Sequence, residues 1–220
     1  ELRLSTSYQD AVDRLLSGEV AASFLGAWQT SELDPEGHLE PLLAPLNAQG
    51  VSEFHAVLVT GPASGIDGVA QLAGRRVALP SPQSWSGNWL ANSGLATANL
   101  DTSDLAAIHH FDHHQTVVWQ VLRGNFDAGV VKESVAERYR NEGLVTLERS
   151  GPIPGPPLVG NRLAAPDALA EITDLLLAID PYRPQDRALL DTWTSEFSHG
   201  FTKISMDQYR QAFGNAGKSP

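Results

Sequence analysis

Tyr8-Gln9-Asp10-Ala11-Val12-Asp13-Arg14-Leu15-Leu16-Ser17-Gly18, with Val20-Ala21-Ala22-Ser23-Phe24-Leu25 after it, is the stretch that decides the fold. Ser7 ahead of Asp10 resembles a capping box, the residues that follow form an amphipathic helix, and Gly18 ends it. The apolar run that follows, bounded by Gly18 and Gly26, suits a buried strand of a parallel sheet. Leu2-Arg3-Leu4-Ser5 in front reads as a short alternating strand, so the expectation is a βαβ unit. The device then returns. His114 to Gly124 spans the same interval as Tyr8 to Gly18, holds another amphipathic helix and leads into the apolar strand 126–131. Two such units imply two pseudo-equivalent lobes.

Outward from these anchors, strands and helices keep alternating, which implies an α/β fold. Residues 54–60 form a buried-strand candidate running into Gly61-Pro62-Ala63-Ser64-Gly65, a turn or a crossing between lobes. A short helix through Val69 to Leu72, a strand over 75–79 and the polar loop Pro80-Ser81-Pro82-Gln83-Ser84-Trp85-Ser86-Gly87 come next, and the loop opens a helix at Trp89-Leu90. The proline-rich segment 151–157 fits neither helix nor central strand and marks a second crossing, before an edge or returning strand at Leu158-Val159. Helices follow over 167–179, 184–197 and around Tyr209. The two crossings divide the chain into lobe one, residues 1–60 and 158–220, and lobe two, residues 61–157, with hinges near Thr60 and Leu158. That division requires strands 54–60 and 75–79 to lie in different sheets.

Composition narrows the function classes. A formal net charge of −11 argues against nucleic acid or an anionic membrane surface as partner, because both need clustered Lys and Arg. With no cysteine, thiolate zinc sites, thiol catalysis and disulfides are excluded. No stretch reaches the ~20 apolar residues that span a bilayer, so direct membrane insertion is not expected. The chain carries no basic-then-apolar signal segment at Glu1. Ser84-Trp85-Ser86-Gly87 lacks the glycine two places before a serine that a nucleophile elbow needs, and no enzyme or cofactor motif is read.

The order of these signals resembles the phosphonate- and phosphite-binding proteins of bacterial ABC importers, with the two-lobed type 2 periplasmic binding fold. The matching stretches are Tyr8-Gln9-Asp10-Ala11-Val12 with Leu16-Ser17-Gly18-Glu19-Val20; Phe24-Leu25-Gly26; Ser64-Gly65-Ile66 with Leu72-Ala73-Gly74-Arg75-Arg76-Val77-Ala78; Ser84-Trp85-Ser86-Gly87; 114–124 with Asp127-Ala128-Gly129; Ser150-Gly151-Pro152-Ile153-Pro154; and Gly200-Phe201 with Asp207-Gln208-Tyr209. Members have one further strand and helix ahead of the segment equivalent to Glu1, so the resemblance implies that the first βα unit is missing from this chain.

In the family a small anion sits between the lobes, held by helix N-termini and a few side chains, and an acidic protein can bind an anion this way. The resemblance places Tyr8, Ser84, Ser86 and His114 in that cleft. Phe54 stands where relatives often have a ligand-contacting Tyr, Trp85 where Thr is common, and Pro156 where amine-binding relatives have Asp. Each departure removes a polar contact, which points away from aminoalkyl phosphonates and towards a compact anion such as phosphite or methylphosphonate. The implied partners are that anion and an ABC permease, on the periplasmic or extracellular side. A ligand-sensing domain fused to a membrane-bound signalling receptor would share the fold. A third reading uses His109, His110, His113 and His114 with Asp112 as a metal site, since imidazole and carboxylate suit zinc, nickel or copper. No regular helix fixes a ligand spacing there, and the expectation is no metal.

Overall fold

The computed structural model describes residues 2–33 and 38–213. Its described strands are β1 (Ala22–Phe24), β2 (Leu39–Pro45), β3 (Glu53–Phe54), β4 (Ala56–Thr60), β5 (Arg76–Pro80), β6 (Ala107–Phe111), β7 (Ala128–Lys132), β8 (Val145–Arg149), β9 (Ile153–Pro154), β10 (Leu158–Asn161) and β11 (Phe201–Lys203). The helices are α1 (Tyr8–Leu16), α2 (Ala27–Glu32), α3 (Trp85–Trp89), α4 (His114–Leu122), α5 (Glu133–Arg138), α6 (Pro166–Leu177), α7 (Pro184–Leu190) and α8 (Met206–Phe213). The chain divides into unit one, Glu1–Glu53 with Pro154–Pro220, and unit two, Phe54–Ile153.

These boundaries correct the division at 60/61 and 157/158. The strand Ala56–Thr60 is wholly buried and pairs with β7 and β8, so it belongs to the sheet that also holds β5. Gly61-Pro62 is a turn inside unit two rather than a crossing. Thr60 ends β4 and Leu158 begins β10, and neither falls at a boundary between the two units.

Unit one is built on a four-stranded sheet of order β1-β10-β2-β11, antiparallel throughout. The parallel βαβ expectation fails here. Residues 2–5 form no strand, and Leu2 and Leu4 are 88% and 84% exposed. The run 20–25 shrinks to the three residues of β1 at the sheet edge, while Leu158-Val159, expected as an edge or returning strand, lies in the interior strand β10. Successive residues of that strand serve opposite faces. Val159 joins Ala11, Val12 and Leu15 of α1, whereas Leu158 joins Leu43 and Phe201 with Leu176 and Leu177 of α6. The central strand β2 carries two prolines, Pro41 and Pro45, which break the usual strand signature. The register shift between Leu158 and Val159 falls opposite Pro41, where the missing N–H would interrupt a regular ladder.

Unit two has a five-stranded sheet of order β6-β5-β7-β4-β8. β6 and β7 run parallel to β5, while β4 is antiparallel to both β7 and β8. Val57, Val59, Ala78 and Val131 pack with Val117, Val118 and Val121 of α4. The alternate residues Leu58, Val77 and Val130 are fully buried too, and α3 lies against β4, β5 and β7. Burial on both faces explains why these strands read as continuous apolar runs, and each such valine or leucine contributes about 1.5–3 kcal/mol.

Candidate functional site

In unit two the parallel trio β5, β6 and β7 delivers its carboxyl ends to one end of the sheet. The segment after β5 contains Ser84 and opens α3, the one after β6 contains His113 and opens α4, and β7 runs directly into α5. Because β4 is antiparallel to β7 with Ala56 opposite Lys132, Phe54 and His55 arrive at the same end. Crevices outside the carboxyl ends of parallel strands are where open α/β sheets hold ligands. Four segments meeting there bring Phe54, Ser84, Trp85, Ser86 and His114 to that end of one unit.

Ser84 caps α3, its hydroxyl accepting from the Gly87 N–H at 3.2 Å. A hydroxyl that accepts one bond keeps its own proton to donate. The loop before it is tied down locally. Ser81 Oγ accepts from the Gln83 N–H at 3.2 Å, and the Asn88 amide donates to the Pro82 and Ser84 carbonyl oxygens at 2.5 and 3.1 Å. Gly87 is required by sterics: a Cβ there would lie 2.8 Å from the Pro80 carbonyl oxygen and closer still to that of Ser81. Ser86 is buried, while Ser84 and Trp85 are half-buried.

His114 is the first residue of α4. Its Nδ1 accepts from the Lys132 N–H at 3.2 Å. The other ring nitrogen of the neutral imidazole, Nε2, is therefore the donor. Burial, then the neighbouring charges of Lys132 and His113, holds the imidazole down at about 3, so it stays neutral near neutral pH. Phe54 is half-buried with the Lys132 ammonium 5.0 Å from its ring centroid. Nearby, His55 Nδ1 lies 2.9 Å from the Ser150 carbonyl oxygen, and Arg149 grips Glu133 bidentately at 2.7 and 2.9 Å. That pairing lowers the Glu133 pKa.

The remaining candidates belong to unit one. Tyr8 opens α1 behind the Ser7 cap, and its ring packs on Gly26, where a Cβ would lie 3.5 Å from Cε1. Its carbonyl oxygen accepts from the Gln29 amide at 3.4 Å. Pro156 lies between β9 and β10.

The histidine run is spread over a strand, a short connection and a helix start. His109 and His110 lie in the edge strand β6, on opposite faces. His109 meets Phe111 in a tilted arrangement with ring centroids 4.6 Å apart, and His110 Nδ1 lies 2.7 Å from the Pro80 carbonyl oxygen. Strand alternation thus divides the cluster. Among the described residues no three His, Asp or Glu are grouped to hold a metal ion. Sequence reasoning did not single out Lys132, whose N–H donates to His114 Nδ1. Its signal was position, since it ends the strand that follows the second helix–glycine device.

The model of the family described as ABC transporter, phosphonate, periplasmic substrate-binding protein matches residues 1–209. Solved structures agree on the fold. A binding-protein component of an ABC phosphonate transporter from Pseudomonas aeruginosa superposes with a TM-score of 0.81 at 17% identity, over 96% of this chain and 72% of that one. PhnD1 from Prochlorococcus marinus, in complex with methylphosphonate, gives 0.78 at 18% identity, over 96% and 82%. A Xanthomonas citri protein bound to ATP gives 0.73 at 16%, over 99% and 87%. The likeness of architecture extends to the alkanesulfonate-binding protein SsuA of a Xanthomonas, at 0.60 and 16%. With a family match over residues 1–209 and a fold shared along nearly the whole chain with solved phosphonate-binding proteins, this chain belongs to the periplasmic substrate-binding proteins of phosphonate ABC transporters.

Proposed function

We propose that the chain captures a small phosphonate- or phosphite-like oxyanion on the extracytoplasmic side and hands it to an ABC permease, without transforming it. The observation that carries this reading is the tautomer of His114. A neutral imidazole whose Nδ1 accepts from the Lys132 N–H keeps an Nε2–H to donate, in the first turn of a nine-residue helix. Unpaired N–H groups and the dipole of that helix end add to it, so an oxyanion is favoured despite the acidic chain. Ser84 and Ser86, in the segment after the neighbouring parallel strand, are the further donors in this reading. Phe54 and Trp85 supply apolar walls, which suits methylphosphonate or phosphite better than a ligand carrying polar arms. Among the described residues no helix is long and apolar enough to cross a membrane.

Calorimetric titration of methylphosphonate and phosphite against the wild type and His114→Ala tests it. The expected result is measurable binding by the wild type and about a tenfold or greater loss in the variant, the scale of one hydrogen bond to a charged group. Equal affinities would remove His114 from the site. Absence of binding by the wild type to either anion would overturn the reading itself.

A further inference from the structure

The segment after β5 carries two of the donors in the reading above, Ser84 and Ser86, and the sheet holds its start from one side. β5 pairs with β7 through Val77 and Ala78, whereas its pairing with the edge strand β6 runs on to Pro80 opposite Phe111. Pro80 has no N–H, so its carbonyl is the backbone group through which that strand end can bond. His110, which stands opposite Leu79, reaches that oxygen with Nδ1 at 2.7 Å. A carbonyl has no proton to give, so Nδ1 carries the proton and donates. Beyond this tie the turn closes on itself. The Ser84 N–H donates to the Ser81 carbonyl oxygen at 2.9 Å and the Gln83 N–H to Ser81 Oγ at 3.2 Å, while Gly87 sits so close to Pro80 that a Cβ would lie 2.8 Å from the same carbonyl oxygen. Where the Pro80 carbonyl goes, the first turn of α3 follows. The far end of that helix is fixed by packing, since Trp89 is buried and α3 rests on β4, β5 and β7. His110 is itself exposed, so the bond rather than the burial of its ring is what it adds. The next segment is tied in the same way with the polarity reversed: His114, opening α4 after β6, accepts at Nδ1 from the backbone N–H at the end of β7.

We propose that His110 is a positioning residue, resting on the phosphonate reading above: its Nδ1–H fixes the Pro80 carbonyl and thereby sets where the Ser84 and Ser86 hydroxyls meet an oxyanion, without itself touching the ligand. Hydrogen bonds weaken steeply with distance and angle, and a site holds its ligand well only while its donors stay within about 0.5 Å of the productive geometry.

The test compares the wild type with His110→Phe, which keeps a planar ring and removes the donor, and with His110→Asn, whose amide N–H takes the place of Nδ1–H. Thermal melts show that each is folded. Calorimetric titration of methylphosphonate should give a loss of about three- to tenfold in His110→Phe, the scale of one hydrogen bond, and an affinity within about twofold of the wild type in His110→Asn. Hydrogen–deuterium exchange of residues 83–87 without ligand should quicken by about three- to tenfold in His110→Phe and return to the wild-type rate in His110→Asn. A His110→Phe variant that matches the wild type in both measurements, or a His110→Asn variant as impaired as His110→Phe, would overturn the role of His110 while leaving the phosphonate reading standing. A wild type that binds neither methylphosphonate nor phosphite would overturn that reading and the positioning of a ligand with it, and the exchange rates would then report on the tie alone.

Discussion

The two helix–glycine–strand segments begin alike and end differently. In both, a nine-residue helix stops at a left-handed glycine, Gly18 with φ 74° and Gly124 with φ 71°. In unit one the strand that follows is three residues long and takes the edge of an antiparallel sheet, with Phe24 still 38% exposed. In unit two it is five residues long and takes the centre of the sheet, parallel to β5 and antiparallel to β4. The local device therefore decides where a helix ends and an extended segment begins. Partners remote in sequence decide whether that segment becomes an edge or a centre.

The largest expected effect breaks the comparison at its point of divergence. Gly129 in β7 has no room for a side chain, because a Cβ would lie 2.7 Å from Val117 Cγ1 and 3.0 Å from the Ala78 carbonyl oxygen. Gly129→Val should cost about 3 kcal/mol through overpacking, whereas Ser23→Val in the edge strand β1 should change stability by less than about 1 kcal/mol. Urea denaturation of the two variants measures the contrast, and equal losses would mean that position in the sheet does not govern tolerance.

The next effect sharpens what the two segments share. A Cβ on Gly124 would meet nothing within 4 Å, and one on Gly18 would meet only Ala164 Cβ at an ordinary 3.6 Å. Only the left-handed backbone penalises a side chain, so Gly18→Ala and Gly124→Ala should each lose about 1–2 kcal/mol. A loss in one without the other, read from the same urea titrations, would show that the two caps are not equivalent.

The smallest effect is a pH dependence that follows the second glycine. Asp127 accepts from the Arg76 N–H at 2.8 Å and from the Arg76 guanidinium at 3.2 and 3.3 Å. The side-chain bond from Arg76 is the main cause that holds its carboxyl below the ordinary 3.8. A pKa depressed by folding gives stability that is complete above the unfolded value and lost as the pH falls through the folded one. Asp127→Asn should therefore lower the urea midpoint at neutral pH and converge with the wild type in acid, once the pH has fallen through the depressed pKa of Asp127. Unit one has its counterpart at the start of the helix, where Arg14 and the Thr6 N–H lower Asp10. A gap for Asp127→Asn that does not close in acid would rule out the ion pair as its source.

The sequence by itself determined the elements that rest on local chemistry. Ser7 and Ser84 cap helices because a hydroxyl reaches the N–H three residues on, and Gly18 and Gly124 end helices because glycine alone enters the left-handed region without penalty. The ordered motifs from Tyr8 to Tyr209 carried the family for the same reason, each being a short-range signal. Only the tertiary structure decided that strand 56–60 joins β5 in one sheet, that proline-bearing β2 lies in the interior of another, and that His109 and His110 join a sheet edge while His114 opens a helix. Strand neighbours are chosen by pairing between residues far apart in the chain, which leaves no local trace.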